Sequence, residues 1–443
     1  MDVKDVIIKV QDFGPVKEAQ IRLNSFVIFS GASSVGKSYL AMLVHFVYRV
    51  LLGGELIDFL QSQKINVEEL YKQFESLPTE NKDYFFRCSA SDFKKWVGKR
   101  AIEYMQTTLG NSDFKGKVDV NFVGLPDFFT FELRKQNALT EDSQVINKVF
   151  RISLKELDSF GVYLEHDVSI YPFAFLLSRY FRIVLNLHPT DTFFLPPSRG
   201  AVVALPDTVR YTLMEGVGMY KEFIEDMSYL KNRVERFVVS DTSKKRKPNF
   251  PLIDGVISIK DNELFFAPSS GKESAPLPIS AVASSIKELA PLAIMMQKSV
   301  LGRYSILFEE PEAHLHPELQ IKAADVLAQG LLSGAHIQIT THSDYLLRRL
   351  NDLMRLYILR EYNVKKYESF CRKYNYPKDL VINPNMVSAY FVSKNEDGFS
   401  VVEQQDVRNG VPFDTFDTVT DKPFYSSSIL YELIDTIRSD ENN

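Results

Sequence analysis

Cysteine is almost missing from this chain: two residues, Cys88 and Cys371, stand far apart among 443. Neither belongs to a C-x-x-C pair or a Cys/His cluster, which excludes a disulfide framework and a thiolate zinc site and fits a reducing compartment. Long apolar runs are missing too, since no stretch approaches the roughly 18 residues that span a bilayer. The opening "MDVKDVIIKVQDFG" carries acidic residues where a signal peptide has basic ones, and it reads as a strand. A soluble, cytoplasmic protein with no membrane partner is the expectation. Surplus positive charge is also lacking: 52 Lys and Arg face 57 Asp and Glu, a formal net charge of −5. A surface of that kind does not coat nucleic acid, so any such contact has to be a local patch.

What is present is 45% hydrophobic residues, enough to bury a large core in two or three units. "DVIIKV" and "KEAQIRL" alternate like the arms of a hairpin, "SFVIFSG" is a compact apolar strand closed by glycine, and "KSYLAMLVHFVYRVLL" reads as a helix packed on a sheet. After Gly53 and Gly54 the chain becomes rich in Phe, Tyr, Lys and Glu, and residues 55–190 read as a mainly helical insertion without chemistry of its own. "DTFFLPPSRGAV" resumes the strand style, with Leu195 as a strand end before two prolines. Residues 207–238 read as a long polar helix, broken by the charged loop "SDTSKKRKPNF". A hairpin ("GVISIKDNELFF"), a helix ("SSIKELAPLAIMMQKSVL"), a strand ("YSILFEE"), a helix and a strand ("HIQITTHS") follow. That alternation predicts an α/β fold on a mixed, mostly parallel sheet. The expected division is 1–54 for the first lobe of the core, 55–190 for the insertion, 191–400 for the rest of the core, and 401–443 for a tail or small subdomain.

"GASSVGKS" fills every fixed place of G-x-x-x-x-G-K-[ST] between a predicted strand and a predicted helix. Gly31, Ala32, Ser33, Ser34, Val35 and Gly36 form a loop whose curled backbone turns N–H groups inward at a helix N-terminus, where anions are favoured. Lys37 suits the outer phosphates of ATP and Ser38 suits Mg2+. In "YSILFEEPEAHLHPELQ" two glutamates end an apolar strand: Glu309 would hold Mg2+ and Glu310 would orient and deprotonate water. The plain alternative is a pair of carboxylates between a strand and a helix dipole. His342, after the next strand, is placed to bond a terminal phosphate. Glu312, His314 and His316 look superficially like metal ligands, although capping and packing explain them as well. Basic clusters at residues 94–100 ("KKWVGKR") and 244–247 ("KKRK") are the local patches that nucleic acid would use, if they are more than solvated surface.

In that order and spacing, "GASSVGKS", "FEEPEAHLHPELQ" and "ITTHSDYLL" resemble the ABC-type ATPases related to SMC proteins, most closely the ATPase part of the OLD (overcoming lysogenization defect) family. The resemblance covers about residues 1–54 and 190–400 and extends to "FLPPSRGAV" and "NFPLIDGVISI". It implies an ABC-type P-loop core in which ATP lies between the two protomers of a homo-dimer or larger homo-oligomer, each lending a signature serine to the other's γ-phosphate. The local match is "AVASSIKELAPL", with Ser285 as that serine; Ile286 stands where the family has glycine, which puts close approach of the backbone to phosphate in doubt. A serine N-cap is the simpler reading there. Arg199 is expected to be structural or phosphate-facing. No Asp-x-Asp of a Toprim nuclease is visible, so the expectation is an ATPase without its own nuclease, similar to the ATPase subunits of two-component anti-phage systems such as PARIS or Septu. The resemblance then implies an effector partner, a nuclease or toxin encoded nearby, and nucleic acid or a phage protein as trigger. A repair or chromosome ATPase of RecF/SMC type acting directly on DNA is the alternative, and a transporter motor is a third reading.

Overall fold

The computed structural model describes residues 5–63, 84–139, 145–157, 160–164, 169–206, 218–237, 250–269, 275–374, 376–408 and 410–411, with isolated positions at 72, 209 and 212. The expectations placed on residues 238–249, including the 244–247 cluster, and on 412–443 lie outside them, as does most of 207–217.

The chain begins with an antiparallel hairpin, β1 (Val6–Phe13) and β2 (Val16–Arg22). Next come β3 (Phe26–Ser30), buried along its whole length, and α1 (Lys37–Leu51). The segment that follows holds α2 (Leu56–Ser62), β4 (Tyr84–Ser89), α3 (Ala90–Leu109), β5 (Lys117–Phe122), β6 (Phe128–Leu139), β7 (Val145–Leu154), β8 (Gly161–Leu164) and α4 (Tyr171–Val184). The core resumes with β9 (Asp191–Leu195), α5 (Arg199–Val203) and α6 (Met219–Phe237). A small sheet of β10 (Gly255–Lys260), β11 (Glu263–Pro268) and β12 (Leu277–Pro278) leads into α7 (Ser284–Gln297). Then β13 (Tyr304–Glu309), α8 (Pro317–Leu332), β14 (His336–Thr341), α9 (Asp344–Tyr362), α10 (Val364–Tyr374) and the hairpin β15 (Val387–Lys394) with β16 (Ser400–Gln405) complete the fold.

Nine strands form one sheet in the order β5-β1-β2-β16-β15-β3-β14-β13-β9. Its second half, from β15 to β9, is wholly parallel, and β16 also runs parallel to β2; the other pairs are antiparallel. Parallel strands are covered on both faces, which is why β3, β13 and β14 are buried at every position. Alternate residues feed two separate cores. Val27, Phe29 and Leu307 pack with α1 and the inserted segment, whereas Phe26, Ile28, Ile306 and Phe308 pack with α6 to α9. This is the expected α/β class on a mixed, mostly parallel sheet. Among the described residues no single helix is long and apolar enough to cross a membrane.

The mainly helical reading of residues 55–190 needs correction. Among the described residues the segment contains five strands beside three helices; β5 joins the main sheet next to β1, and β4-β6-β7-β8 form a separate antiparallel sheet. The cause is visible in β6, where Phe129, Phe131 and Leu133 are buried at the two-residue spacing of a strand. Its helices close over an aromatic cluster in which Phe93 stacks on Phe181 with centroids 5.1 Å apart and Phe59 meets Phe93 edge-on at 5.0 Å.

Candidate nucleotide-binding site

Three neighbouring strands, β3, β14 and β13, end side by side, and each delivers a segment singled out in the sequence. After β3 the chain turns at Gly31 (φ 129°), where a Cβ would fall 2.1 Å from the Val392 carbonyl oxygen of β15. Only glycine fits this approach. Ser34 (φ 61°) and Gly36 (φ 94°) are also left-handed, so the loop curls before α1 begins. Gly36 is the N-cap of α1 and no side chain caps that end, which leaves first-turn amides for an anion. In front lies a cavity of about 530 Å³, lined by Ser33, Ser34, Gly36, Lys37, Ser38, Glu310, Thr340 and His342 among others.

Lys37 is 6% exposed, and its ammonium donates to the carbonyls of its own loop, Gly31 at 2.9 Å and Ala32. It also lies 3.5 Å from His342 Nδ1. Burial pulls its pKa down, and the charges of Glu310, Glu312 and Glu309 oppose that pull. The ammonium therefore sits within reach of the cavity, held by bonds that a triphosphate can replace.

Glu309, the last residue of β13, is 2% exposed; its Oε2 accepts a hydrogen bond from Ser38 Oγ, and its Oε1 has no partner. Burial pushes its carboxyl up to about 7, against the opposing bond from Ser38. A buried carboxylate with one unsatisfied oxygen, beside a serine hydroxyl, is the hard-oxygen donor set that Mg2+ takes, so these two residues fit the implied metal.

Glu310 is held at φ 47°, a costly conformation for a side chain other than glycine. Its amide donates to Thr340 O at 3.0 Å, and the turn brings its carboxylate to the cavity, with Oε1 3.1 Å from His342 Nε2. That hydrogen bond is the main reason Glu310 is held below the usual carboxylate range and His342 is raised above the usual imidazole range. This left-handed residue takes Glu310 out of the alternation of β13 and turns its side chain to the cavity.

Glu312 is not paired with the histidines as a metal group. It is buried, and its Oε1 accepts from Thr341 Oγ1 at 2.7 Å and from the His342 amide at 2.8 Å, fixing the end of β14. His314 has a mostly exposed side chain 4.0 Å from Glu288, and His316 is the N-cap of α8. Ser343 then caps α9, accepting from Leu346 N at 3.1 Å. In the sequence Glu312 stood out only beside His314 and His316; its buried partners arrive from a strand about thirty residues later.

Arg199 is fully buried and does not line the cavity. Its guanidinium donates to the carbonyls of Glu288 (3.0 Å), Pro196 (2.9 Å) and Glu309 (2.9 Å) and lies 4.5 Å from the centroid of Phe308. Desolvation lowers its pKa to about 10, which leaves it charged at neutral pH. Of the two roles expected for it, the geometry selects the structural one: it fixes the backbone beneath Glu309 and ties it to α7.

Ser285, in the first turn of α7, is half-buried and is not among the residues lining the cavity of its own chain. The serine N-cap reading is corrected as well: Ala283 is the N-cap, and no side-chain hydrogen bond closes the helix. Residues 94–100 lie on α3, where Arg100 pairs with Glu55, Asp58 and Glu103, and Lys99 with Glu103. Neighbouring carboxylates thus neutralise much of that basic cluster.

Residues 219–347 match a family model described as an AAA ATPase domain. The match includes Glu309, Glu310 and His342 and leaves the phosphate loop outside. A search of curated proteins finds no match. Among solved structures, the chain is similar to an Smc head bound to the C-terminal winged-helix domain of ScpA (12% identity, 90% of this chain and 97% of that chain, TM-score 0.37). It is also similar to an Smc head with an extended coiled coil bound to the C-terminal domain of ScpA from Pyrococcus furiosus (13% identity, 95% and 99% covered, TM-score 0.37) and to an SMC head domain from Thermotoga maritima (11% identity, 92% and 100% covered, TM-score 0.29).

Proposed function

We propose that this chain is an ATPase that binds ATP in the cavity in front of α1 and hydrolyses it. The observation that carries this reading is the convergence of Lys37 and Ser38 with Glu309, Glu310 and His342 from three adjacent strand ends. The amides of residues 31–38 bind the β- and γ-phosphates, and Lys37 exchanges its loop carbonyls for them. Ser38 and Glu309 hold Mg2+, which when bound supplies positive charge to the phosphate oxygens. Glu310 orients a water and takes its proton as the water attacks the γ-phosphorus and the bond from that phosphorus to the β–γ bridging oxygen breaks, with ADP leaving and inorganic phosphate formed. His342 donates to the γ-phosphate and reports its loss through α9, whose cap follows directly. The site is completed by Ser285 of a second copy, which explains why that serine stands on an uncapped helix end away from its own chain's cavity.

By its resemblance to the ATPase subunits of two-component anti-phage systems, the cycle serves as a sensor and scaffold that holds or releases a nuclease or toxin. Measuring Mg-ATP binding, hydrolysis and self-association of the wild type tests the first part. Binding with slow turnover and ATP-dependent association is the expected result; a chain that neither binds nor hydrolyses ATP ends the proposal. Co-purification from the native host tests the second part, and recovery with no effector protein contradicts it.

A further inference from the structure

We propose that the exposed face of α10 binds single-stranded nucleic acid. Residues 355–378 contain seven Lys and Arg against two Glu, in a chain whose net charge is −5. Only Tyr367 and Cys371 of α10 are buried, so the rest of the helix faces solvent. Lys366, Phe370, Lys373 and Tyr374 fall at i, i+4, i+7 and i+8, one helical stripe. The Phe370 and Tyr374 rings lie 4.6 Å apart, and Lys373 Nζ is 5.0 Å from the Tyr374 centroid. Tyr374 is 53% exposed, and Tyr362, just before the helix, is 86% exposed.

Paired rings left in water beside lysines have the chemistry of a stacking platform on a backbone-tracking surface: rings take the faces of unpaired bases and ammonium groups take phosphates. The lysines are available, since neither Lys366 nor Lys373 forms a salt bridge among the described residues, unlike the paired bases at 94–100. A protein partner fits less well because lysine is depleted at the centres of such interfaces. Duplex DNA would use the charges and leave the rings idle. The apolar side of α10 is already spent on packing, which disfavours insertion into a lipid surface.

The stripe also has a route to the nucleotide cavity. α9 starts immediately after His342 and its cap, and its 19 residues span about 28 Å to the start of α10. This coupling rests on the ATPase reading; the binding itself does not.

The test is fluorescence anisotropy with a labelled oligo(dT) of about 20 nucleotides and a duplex of equal length, titrated without ATP at several salt concentrations. Oligo(dT) should bind with a log–log salt slope of about −2 to −3. Lys366→Glu with Lys373→Glu should weaken it at least about tenfold, and Phe370→Ala with Tyr374→Ala should weaken it about tenfold while duplex binding stays unchanged. Melting curves of both variants should match the wild type, because the substituted side chains are exposed. Lys37→Ala should bind oligo(dT) like the wild type, which separates failure of this surface from failure of the nucleotide site. Wild-type affinity in both double variants, indifference to salt, or equal binding of polyglutamate overturns the proposal.

Discussion

Two histidines bracket the strand β14, and they live in opposite worlds. At its start, His336 is buried and satisfied: Tyr48 OH lies 2.9 Å from Nδ1 and Ser25 Oγ 3.4 Å from Nε2, while Tyr48 donates onward to Asn24 O at 2.8 Å. Burial lowers its pKa to about 4, so it is a neutral ring at physiological pH. Past its end, His342 faces a cavity, is raised by its bond to Glu310, and has a lysine ammonium 3.5 Å away. The His336 ring has a partner at each nitrogen, although Gln338 Oε1 and Tyr304 OH nearby have none; at the His342 end an oxygen of Glu309 and one of Glu312 lack a partner, and Ser34 and Glu310 are left-handed around the cavity. A fold tolerates unpaired buried oxygens and strained backbone where a ligand completes them. On the proposed ATPase reading, one strand carries a packed histidine at its start and a ligand-facing histidine past its end.

Substitutions at the two ends should part in the same way. The largest effect is expected at the cavity end: Lys37→Ala should reduce ATP hydrolysis more than about a thousandfold by removing the phosphate-facing charge, measured by phosphate release. If it turned over like the wild type, the functional end would lie elsewhere. Ser285→Arg should abolish ATP-driven association in sedimentation velocity while the melting temperature stays within a few degrees of the wild type; association at wild-type strength would remove this serine from the shared site. His342→Ala should lower kcat between about ten- and a hundredfold with a smaller change in KM. The smallest effect on turnover, none beyond experimental error, is expected for His336→Gln.

That last variant should instead alter the pH dependence of stability. His336 titrates lower in the fold than in the unfolded chain, so the unfolded state takes up a proton first, and stability falls as pH drops from about 6.5 towards 4. The loss attributable to this residue amounts to at most about 3 kcal/mol, and urea midpoints across that range should flatten in the variant. An unchanged slope would show that the ring is not held neutral.

The sequence carried different parts of this picture unequally. Local signals were reliable for β3, the Gly31–Ser38 loop, β9 ending at Leu195, α7, β13 and β14, because each is a short run closed by its own glycine, proline or charge. The 31–38 loop, the glutamate pair and His342 could be nominated from spacing alone; loop residues, Glu310 and His342 line one cavity, and Glu309 lies behind it, bonded to Ser38. The inserted segment was misread because its many aromatic residues suit either period, and β5 pairs with β1 across more than a hundred residues. Arg199 and Glu312 showed the same limit. What each does depends on carbonyls, a hydroxyl and an amide supplied by distant strands, and no local pattern announces those partners. The stripe on α10 became visible only once Tyr367 and Cys371 were seen to take the buried side of the helix.

The most direct test of the binding end is Glu310→Gln, which keeps the size of the side chain and removes its basicity. Equilibrium ATP binding and single-turnover hydrolysis should be measured on the same preparation. We expect ATP bound about as tightly as by the wild type and cleaved at least about a hundredfold more slowly. ATP cleaved at the wild-type rate, or not bound while the fold is intact, would contradict the assignment of this cavity as a site of ATP hydrolysis.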